Sequence, residues 1–423
     1  MATYKKAISG FGLRFLGLLS SYLFTYLVTI NYGVENWGNF TFTLTITSFL
    51  VLFVKFGFDL TLLKFSTKFI ATDNKSAIWS FYLKFTKPLF LIGVLLSLGL
   101  FFGSDVIANY IMNKPNVEPF LRIGSFAIIP LAFAIINAEG IRSFEKSNIY
   151  IFIQFVGLYF FACLFFLFGT NILKSSCDQM VIIAFSLSCL VIFGISLFFL
   201  YRLSYTQNAI ELTNEIPSYK DILKVTFPFF NTNLLIVLID WTDIFLLGIF
   251  VSAHEFGEYH LTYKISNLML LPIMVTATIM GPKVASFFEL KEKIKLQNEV
   301  KTSVKMTLIL GALTYIGLIV GWPIINYVFD NQVSDMFWIF VILISGQFLT
   351  SVLGPNDTFL QLTGNEKTFQ KIMIYAAAFN IIFNIIFIPI WGIWAACMVN
   401  LSTKLIWNLY GYYVFRKRVI LSD

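Results

Sequence analysis

Charged residues are scarce in this chain of 423 residues. Asp, Glu, Lys and Arg together make up 13% of it, whereas 58% is hydrophobic and the mean hydropathy is +0.79. A typical soluble domain has roughly 25% charged residues and cannot bury this much apolar surface. The shortage of charge therefore excludes a soluble globular protein and predicts a protein that crosses a membrane several times.

Cysteine and histidine are also rare, and their positions argue against a disulfide framework or a metal centre. Both kinds of site need regular ligand spacing. The two histidines have no nearby cluster of thiols or carboxylates, and the cysteines are scattered. These residues are His254, His260, Cys163, Cys177, Cys189 and Cys397. We therefore predict no metal and no cofactor.

Catalytic motifs are missing as well. The sequence has no nucleotide-binding glycine motif, no nucleophile paired with a base and no paired carboxylates in a loop. The longest predicted outward loop, 104–116, carries only Asp105 and Lys114. A membrane-embedded polysaccharide polymerase or ligase needs a catalytic domain or a long charged loop. That enzyme class is therefore the weakest interpretation, and we predict a protein that is not an enzyme.

Long apolar runs dominate the rest of the sequence. Each is near the roughly 20 residues that a helix needs to cross a bilayer, and about twelve can be recognised. The pattern predicts an all-α polytopic membrane protein, with spans at 7–30, 38–63, 78–103, 118–138, 148–170, 179–201, 221–250, 256–282, 302–328, 335–353, 370–390 and 391–414. Prolines predict bends in five of these spans, at Pro88, Pro130, Pro228, Pro272 and Pro323.

The net charge of +7 is distributed unevenly among the loops. If both termini are cytoplasmic, the inward loops and tails hold most Lys and Arg residues, whereas the outward loops hold only Lys114 and Lys174. This asymmetry follows the positive-inside rule and predicts that orientation. The basic excess then orients the protein, and no nucleic-acid partner is required to explain it.

The spans divide into two halves that resemble each other. A polar inward segment, 202–220, separates an N-terminal lobe, 1–201, from a C-terminal lobe, 221–423. Trp37-Gly38-Asn39-Phe40 opens the second span, and Phe256-Gly257-Glu258-Tyr259 opens the eighth in the same pattern. With six spans in each lobe, the pattern predicts parallel repeats around a central cavity.

Several cations interrupt the apolar spans. A cation at the centre of a bilayer costs at least roughly 2.5–3.5 kcal/mol and usually faces protein or a water-filled cavity. These cations are Arg14, Lys55, Lys87, Arg122, Lys264 and Lys404. Lys87 and Arg122 lie near span ends and can reach the interface. Lys404 is deep and has no assigned role. The remaining cations predict a cavity for a negatively charged ligand.

Polar residues recur on one face of the spans that open each lobe, which predicts a wet cleft between the lobes. On the second span these are Thr41, Thr45, Ser48, Lys55 and Asp59; the first span carries Arg14, Ser21, Thr25 and Thr29. The hydroxyls equally fit bonding to their own backbone. Lys55 and Asp59, at i and i+4, equally fit a self-neutralising structural pair.

We predict that substrate contacts are made by Arg14 and Lys264 above all, and also by Lys55, Asn233 and Asn267. The candidates for ion coupling are Asp59, Asp240 and Asp243. A carboxylate in a low-dielectric site can titrate at a useful pH.

One region of the C-terminal half resembles a known transporter family. It has an acidic residue, an apolar run ending in Gly, a Gly-x-Tyr motif, and then an apolar helix with a Pro near its end. The residues are Asp240, Asp243, Gly248, Phe256-Gly257-Glu258-Tyr259, Tyr263-Lys264-Ile265, Pro272 and Gly281-Pro282-Lys283. The N-terminal half agrees through Gly33, Glu35, Trp37-Gly38 and Phe56-Gly57. The chain resembles the Wzx-type polysaccharide flippases of the multidrug/oligosaccharidyl-lipid/polysaccharide exporter superfamily.

This resemblance implies a lipid-linked oligosaccharide flippase. Such a protein moves an undecaprenyl-diphosphate-linked O-antigen or other polysaccharide repeat unit from the cytoplasmic to the periplasmic leaflet of a bacterial inner membrane by alternating access. Implied partners are that lipid-linked sugar, membrane lipid, and polysaccharide polymerase and chain-length machinery. An ion-coupled drug or cation antiporter of the same superfamily is the main alternative. Its cleft would favour acids and aromatics over cations such as Arg14 and Lys264.

Overall fold

The computed structural model of the protein describes residues 2–72, 74, 76–172, 177–204, 217–354, 359–360 and 366–417. Within these ranges the regular structure is helical and contains no strand. Nine helical segments in the described residues are long and apolar enough to cross a membrane. The protein is therefore an all-α, multi-pass membrane protein, as the composition predicts.

The α-helices of the described ranges, numbered in chain order, have the following bounds. They are α1 Ala2–Lys55, α2 Phe58–Ala71, α3 Ser76–Asp105, α4 Glu118–Gly124, α5 Ile128–Ser143, α6 Ser147–Ile151, α7 Leu158–Leu167, α8 Met180–Ser204, α9 Tyr219–Phe250, α10 Ala253–Ser266, α11 Leu271–Glu289, α12 Lys293–Val328, α13 Phe337–Leu353 and α14 Glu366–Phe415.

The first and last of these helices are each divided by a glycine. Gly33 in α1 has φ 78° and ψ 171°, and Gly392 in α14 has φ 53° and ψ −130°. Residues other than glycine rarely adopt such angles. The apolar segments around them, Gly12–Lys55 and Thr368–Phe415, contain 44 and 48 residues. Each is about twice the length needed to cross a bilayer. The count of twelve spans stays a prediction.

The predicted second span, 38–63, is wrong as a single helix. Helix α1 ends at Lys55, and α2 begins at Phe58. Between them, Phe56 and Gly57 have φ values of 43° and 76°. These left-handed residues interrupt the helix. The polar residues predicted to share one helical face are thus divided between two helices.

Only some of the prolines coincide with interruptions. Pro272 is the second residue of α11 and follows a 3₁₀ turn at Asn267–Leu270. Pro130 lies in the first turn of α5, after a 3₁₀ turn at Ser125–Ala127. The first turn tolerates Pro because its N–H groups lack intrahelical partners. The other three predicted positions lie inside continuous helices, at Pro88, Pro228 and Pro323.

The chain forms two compact units, Met1–Val237 (unit 1) and Leu238–Asp423 (unit 2). The division falls within α9, so the first part of that helix belongs to unit 1. The predicted inter-lobe segment, 202–220, lies largely outside the described residues. The predicted lobe boundaries therefore stay a prediction.

The repeated aromatic motif occupies the core of each unit. In unit 1, Trp37 and Phe40 are almost completely buried, and their ring centroids lie 5.5 Å apart. In unit 2, Phe256 and Tyr259 are buried to the same extent. All four belong to the largest fully buried side chains of the described structure. The repeated motif thus supplies two large buried aromatic side chains to the core of each unit.

Candidate functional site

Arg14 is an exposed cation on the first half of α1. Its guanidinium carbon lies 5.5 Å from the centroid of the Phe155 ring, a cation–π distance. No salt bridge joins it to an acidic side chain within the described ranges. The Phe155 ring contacts one side of the Arg14 guanidinium. The guanidinium N–H groups can donate hydrogen bonds to an anion.

Lys55 and Asp59 form an ion pair across the break between α1 and α2. The Lys55 Nζ lies 2.6 Å from the Asp59 Oδ2, and the side chains are 16% and 6% exposed. Lys55 lies in the last turn of α1 and Asp59 in the first turn of α2. Each charge therefore also complements the dipole of its own helix end. The self-neutralising pair left open by the sequence is present, and any further role of Lys55 in substrate contact stays a prediction.

Most hydroxyls of the predicted polar stripes have a packing role. Thr25 and Thr29 of the first span are fully buried and donate to backbone carbonyls one turn earlier, at 2.9 and 3.0 Å. Thr45 donates to the Thr41 carbonyl in the same way, at 2.9 Å. These bonds agree with the backbone-bonding alternative that the sequence left open, and the wet cleft between the lobes stays a prediction.

Asn233 lies on the part of α9 that belongs to unit 1. Its amide nitrogen, Nδ2, is buried and has no hydrogen-bond partner among the described residues. A buried donor without an acceptor costs about 1–3 kcal/mol. Such a group fits a position that a ligand or water completes. The structure thus shows that Asn233 has a hydrogen-bond donor that a ligand could use.

Lys264 and Asn267 lie together in unit 2, where α10 changes into a 3₁₀ turn. Lys264 is half-buried in the last turn of α10, next to His260. The Asn267 Oδ1 accepts a hydrogen bond from the Gln347 Nε2 of α13 at 3.3 Å. Gln347 is itself buried. We call Lys264, Asn267 and Gln347 the polar patch of unit 2.

Asp243 is a buried carboxylate of unit 2, only 1% exposed. Its Oδ1 accepts a hydrogen bond from the Ile244 backbone N–H at 2.9 Å. The buried hydroxyl of Tyr259 lies within electrostatic range of it. Burying an ionised carboxylate is costly, so such a group is a candidate for proton or cation binding. The side chain of Asp240 lies outside the described part of the structure.

The other cations in apolar segments have ordinary explanations. Lys87 is exposed on α3. Arg122 is also exposed and bonds to Glu118 one turn earlier, at 2.5 Å. Lys404 is half-buried on α14, and its aliphatic stem packs beside Gly346 of α13. Lys87 and Arg122 therefore do not belong to the candidate site.

Sequence reasoning missed a buried amide network in unit 2. The Asn380 Nδ2 donates to Thr403 Oγ1 at 3.3 Å, and the Asn384 Nδ2 donates to Asn380 Oδ1 at 3.0 Å. All three side chains are almost completely buried. The i,i+4 spacing of Asn380 and Asn384 within an apolar run was the available signal. Amides carry no charge, so Asn380 and Asn384 stand out less from the apolar run than a cation does.

Unit 1 contains a second buried polar group that the sequence analysis does not include, centred on Glu139. Glu139 is buried near the end of α5, and its Oε2 lies 3.2 Å from the Arg142 Nη1. The Arg142 guanidinium in turn lies 5.1 Å from the Tyr150 ring centroid. Its position near a span end made Glu139 resemble an interfacial residue.

Within the described ranges, no group of three or more His, Cys, Asp or Glu residues is arranged to hold a metal.

The fold defines the general class of this protein. A multidrug resistance MATE family transporter of the MOP superfamily has a similar structure, with a TM-score of 0.75 and 14% identity over 98% of both chains. The lipid II flippase MurJ is also similar, with a TM-score of 0.74 and 16% identity over 97% of this chain and 87% of that one. At these identities the likeness shows only that this chain shares the fold of those two proteins.

The family follows from the sequence itself. The profile of the polysaccharide biosynthesis protein family matches residues 4–287, more than half of the chain. The chain therefore belongs to that family. A probable low-salt glycan biosynthesis flippase, Agl15 of Haloferax volcanii, is 22% identical over 161 residues. That alignment spans 38% of this chain and 34% of the relative.

Proposed function

We propose that this protein is a lipid-linked oligosaccharide flippase. Its substrate would be an undecaprenyl-diphosphate-linked repeat unit of O-antigen or another polysaccharide, moved from the cytoplasmic to the periplasmic leaflet of a bacterial inner membrane by alternating access. Support comes from the family match, the transporter fold, and the flippases among the similar proteins. The orientation with both termini in the cytoplasm belongs to the same proposal.

The observation that carries the proposal is the polar patch of Lys264, Asn267 and Gln347 in unit 2. A diphosphate needs a cation, and sugar hydroxyls need groups that both donate and accept hydrogen bonds. This patch combines a lysine with two amides at the 3₁₀ turn between α10 and α11, within the predicted eighth span.

In unit 1, we assign Arg14 to the diphosphate and Asn233 to the headgroup. Arg14 presents a guanidinium held by Phe155, and Asn233 presents a buried donor that lacks an acceptor. Charge-assisted bonds from Arg or Lys to phosphate are among the strong hydrogen bonds in proteins. Lys55 is a weaker contact in this proposal, because Asp59 already neutralises it. Asp59, Asp240 and Asp243 remain the candidates for ion coupling.

Deletion of the gene in its host, followed by complementation, tests the proposal. Arg14→Ala and Lys264→Ala should abolish surface polysaccharide while the proteins still reach the membrane. Lys87→Ala is the matched control, because it removes an exposed cation from an apolar helix outside the candidate site. Normal surface polysaccharide in both site variants would contradict the cationic assignment.

The same strains distinguish transport from catalysis. Loss of a flippase should leave complete lipid-linked repeat units on the cytoplasmic side and none at the surface. Loss of a polymerase or ligase should still allow single repeat units to reach the outer leaflet. The polymerase and chain-length machinery are then proposed partners, and we assign no reaction to this chain itself.

An ion-coupled drug or cation antiporter is the second candidate, and the buried carboxylate of Asp243 favours it. The structural likeness to a multidrug resistance transporter is in keeping with it. If the antiporter assignment holds, expression in a drug-sensitive strain should raise resistance to cationic compounds. Loss of that resistance in Asp243→Asn, with normal surface polysaccharide in the deletion strain, would favour the antiporter over the flippase.

A further inference from the structure

Unit 2 contains a groove that the proposed transport reaction does not use. It has a volume of about 660 Å³ and is bounded by the first half of α12, the end of α13 and the end of α14. Three of its lining residues are cations, namely Lys301, Lys305 and Arg416. Most of the other lining side chains are apolar, and none of the lining residues is acidic.

The three cations are exposed and available to a ligand. Lys301 and Lys305 are one turn apart, so both project from the same face of α12. None of the three forms a salt bridge with an acidic side chain in the described ranges.

The described acids nearest in sequence are engaged elsewhere. Glu292 bonds to Lys295 at 3.0 Å, and Glu299 bonds to Lys283 at 3.2 Å. Within the described part of the chain, those carboxylates therefore do not neutralise the three cations of the groove. A site with three unneutralised cations favours an anion.

The apolar part of the groove lies between α12 and the end of α13. Val304, Leu308 and Leu353 lie along it. Helix α13 ends at Leu353, and the next residue, Gly354, has a φ of +80°. An ideal Cβ at Gly354 would lie 2.9 Å from Val304 Cγ2, so only glycine allows the end of α13 to approach α12 this closely. The apolar wall is thus held in place by packing.

We propose that this groove binds an anionic glycerophospholipid of the surrounding bilayer. The headgroup phosphate would lie against Lys301, Lys305 and Arg416, and an acyl chain would cover Val304 and Leu308. Basic pockets between membrane helices bind anionic headgroups on the cytoplasmic side. The positive-inside rule predicts this lysine-rich end of unit 2 on that side. A free phosphate would leave the apolar wall uncovered, and a neutral lipid would leave the cations without an anion.

The direct test is equilibrium lipid binding by the purified full chain in detergent, followed by native mass spectrometry. The probes are palmitoyl-oleoyl phosphatidylglycerol and the matching phosphatidylcholine. Each cation near a lipid headgroup is worth a factor of about five in affinity. Lys305→Gln should therefore weaken phosphatidylglycerol binding about fivefold, and the triple variant Lys301→Gln/Lys305→Gln/Arg416→Gln about 100-fold.

A matched control makes the same change in charge outside the groove. Lys291→Gln/Lys293→Gln/Lys417→Gln removes three exposed cations that do not line it. This variant should bind phosphatidylglycerol like the unaltered protein. An equal loss of affinity in the control and in the groove variant would overturn the proposal, because binding would then depend on overall charge alone.

A second variant tests the apolar wall and identifies the source of the anion. Leu308→Trp should reduce phosphatidylglycerol binding by filling the groove while keeping all three cations. Inorganic phosphate and diphosphate should compete poorly with the lipid. Effective competition by either ion, equal binding of phosphatidylcholine, or tighter binding of undecaprenyl phosphate would each overturn the assignment to a bilayer phospholipid. None of these measurements depends on transport, so failure here is distinct from failure of the flippase proposal.

Discussion

The ammonium of Lys55 and the carboxylate of Asp59 lie 2.6 Å apart across the break in the second predicted span. This pair explains how a lysine and an aspartate can both occupy an apolar segment. Each charge neutralises the other, and each also lies at the helix end that favours it. Lys55 and Asp59 thus have a structural role as an ion pair.

Separating the two members of this pair should destabilise the protein. Lys55→Met leaves the nearly buried Asp59 carboxylate without its partner, which costs about 3 kcal/mol or more. The double variant Lys55→Met/Asp59→Leu should recover most of the lost stability, because no uncompensated charge remains. Thermal unfolding in detergent measures both effects. If the double variant is no more stable than Lys55→Met, the ion pair is not the source of the effect.

Transport by the double variant separates the two roles of Lys55. If its role is structural, a stable double variant should transport normally. Loss of transport by a well-folded double variant would instead show that one of the two charges contacts the substrate or the coupling ion.

Replacing Gly57 should disrupt the contact between α2 and the first part of α9. Gly57 has φ +76°, and an ideal Cβ would lie 2.7 Å from both Phe230 N and Thr226 O. The left-handed conformation alone costs an alanine roughly 1–2 kcal/mol. Gly57→Ala should therefore lower the melting temperature by several degrees.

Gly99→Ala is the control for Gly57→Ala. It lies inside α3 and has no neighbouring atom within 4 Å of an ideal Cβ. The change should be neutral or slightly stabilising, because alanine favours a helix over glycine. Equal melting temperatures for the two variants would contradict the close packing at Gly57.

The amide network of α14 should contribute to the stability of unit 2. Asn380→Leu removes the acceptor of Asn384 and the donor to Thr403, and all three side chains are buried. The expected cost is about 1–2 kcal/mol, read as a lower melting temperature. Asn31→Leu is the control, because Asn31 is exposed and donates a hydrogen bond to the Leu27 carbonyl of its own helix. A loss of the same size in both variants would show that the network adds nothing specific.

We propose that Asp243, a buried carboxylate of unit 2, couples transport to an ion gradient. Asp243→Asn keeps the shape and the bond from Ile244 N–H but removes the charge. Transport by this variant in vesicles should lose its dependence on a proton or sodium gradient. Asp221→Asn, at an exposed position in the first turn of the same helix, should keep the dependence. Unchanged coupling in Asp243→Asn would remove that residue from the mechanism.

The sequence predicts the class of this fold well, because long apolar runs and loop charges follow directly from the physics of the bilayer. The paired aromatics Trp37/Phe40 and Phe256/Tyr259 were visible as a repeat, and their burial agrees with it. The break at Gly57 was harder to foresee, since the apolar run continues through it. Its cause is a close approach to α9, far away in sequence.

The candidate site was less predictable for a related reason. A cation in an apolar run has the same signature whether it meets a substrate, a carboxylate or an aromatic ring. Only the coordinates show that Lys55 meets Asp59 and that Arg14 meets Phe155. The patch of Lys264, Asn267 and Gln347 depends on a contact between the 3₁₀ turn after α10 and helix α13, which helical periodicity in one segment does not reveal.

Flipping by the purified full chain in vesicles tests the central claim most directly. The substrate is a fluorescent undecaprenyl-diphosphate-linked oligosaccharide, and a membrane-impermeant reagent reports its exposure. The unaltered protein should move it between leaflets faster than protein-free vesicles do. Lys264→Ala should slow this at least about tenfold, as expected for loss of a charge-assisted bond, whereas Lys264→Arg should retain most of it. Vesicles with the unaltered protein that flip no faster than protein-free vesicles would contradict the account.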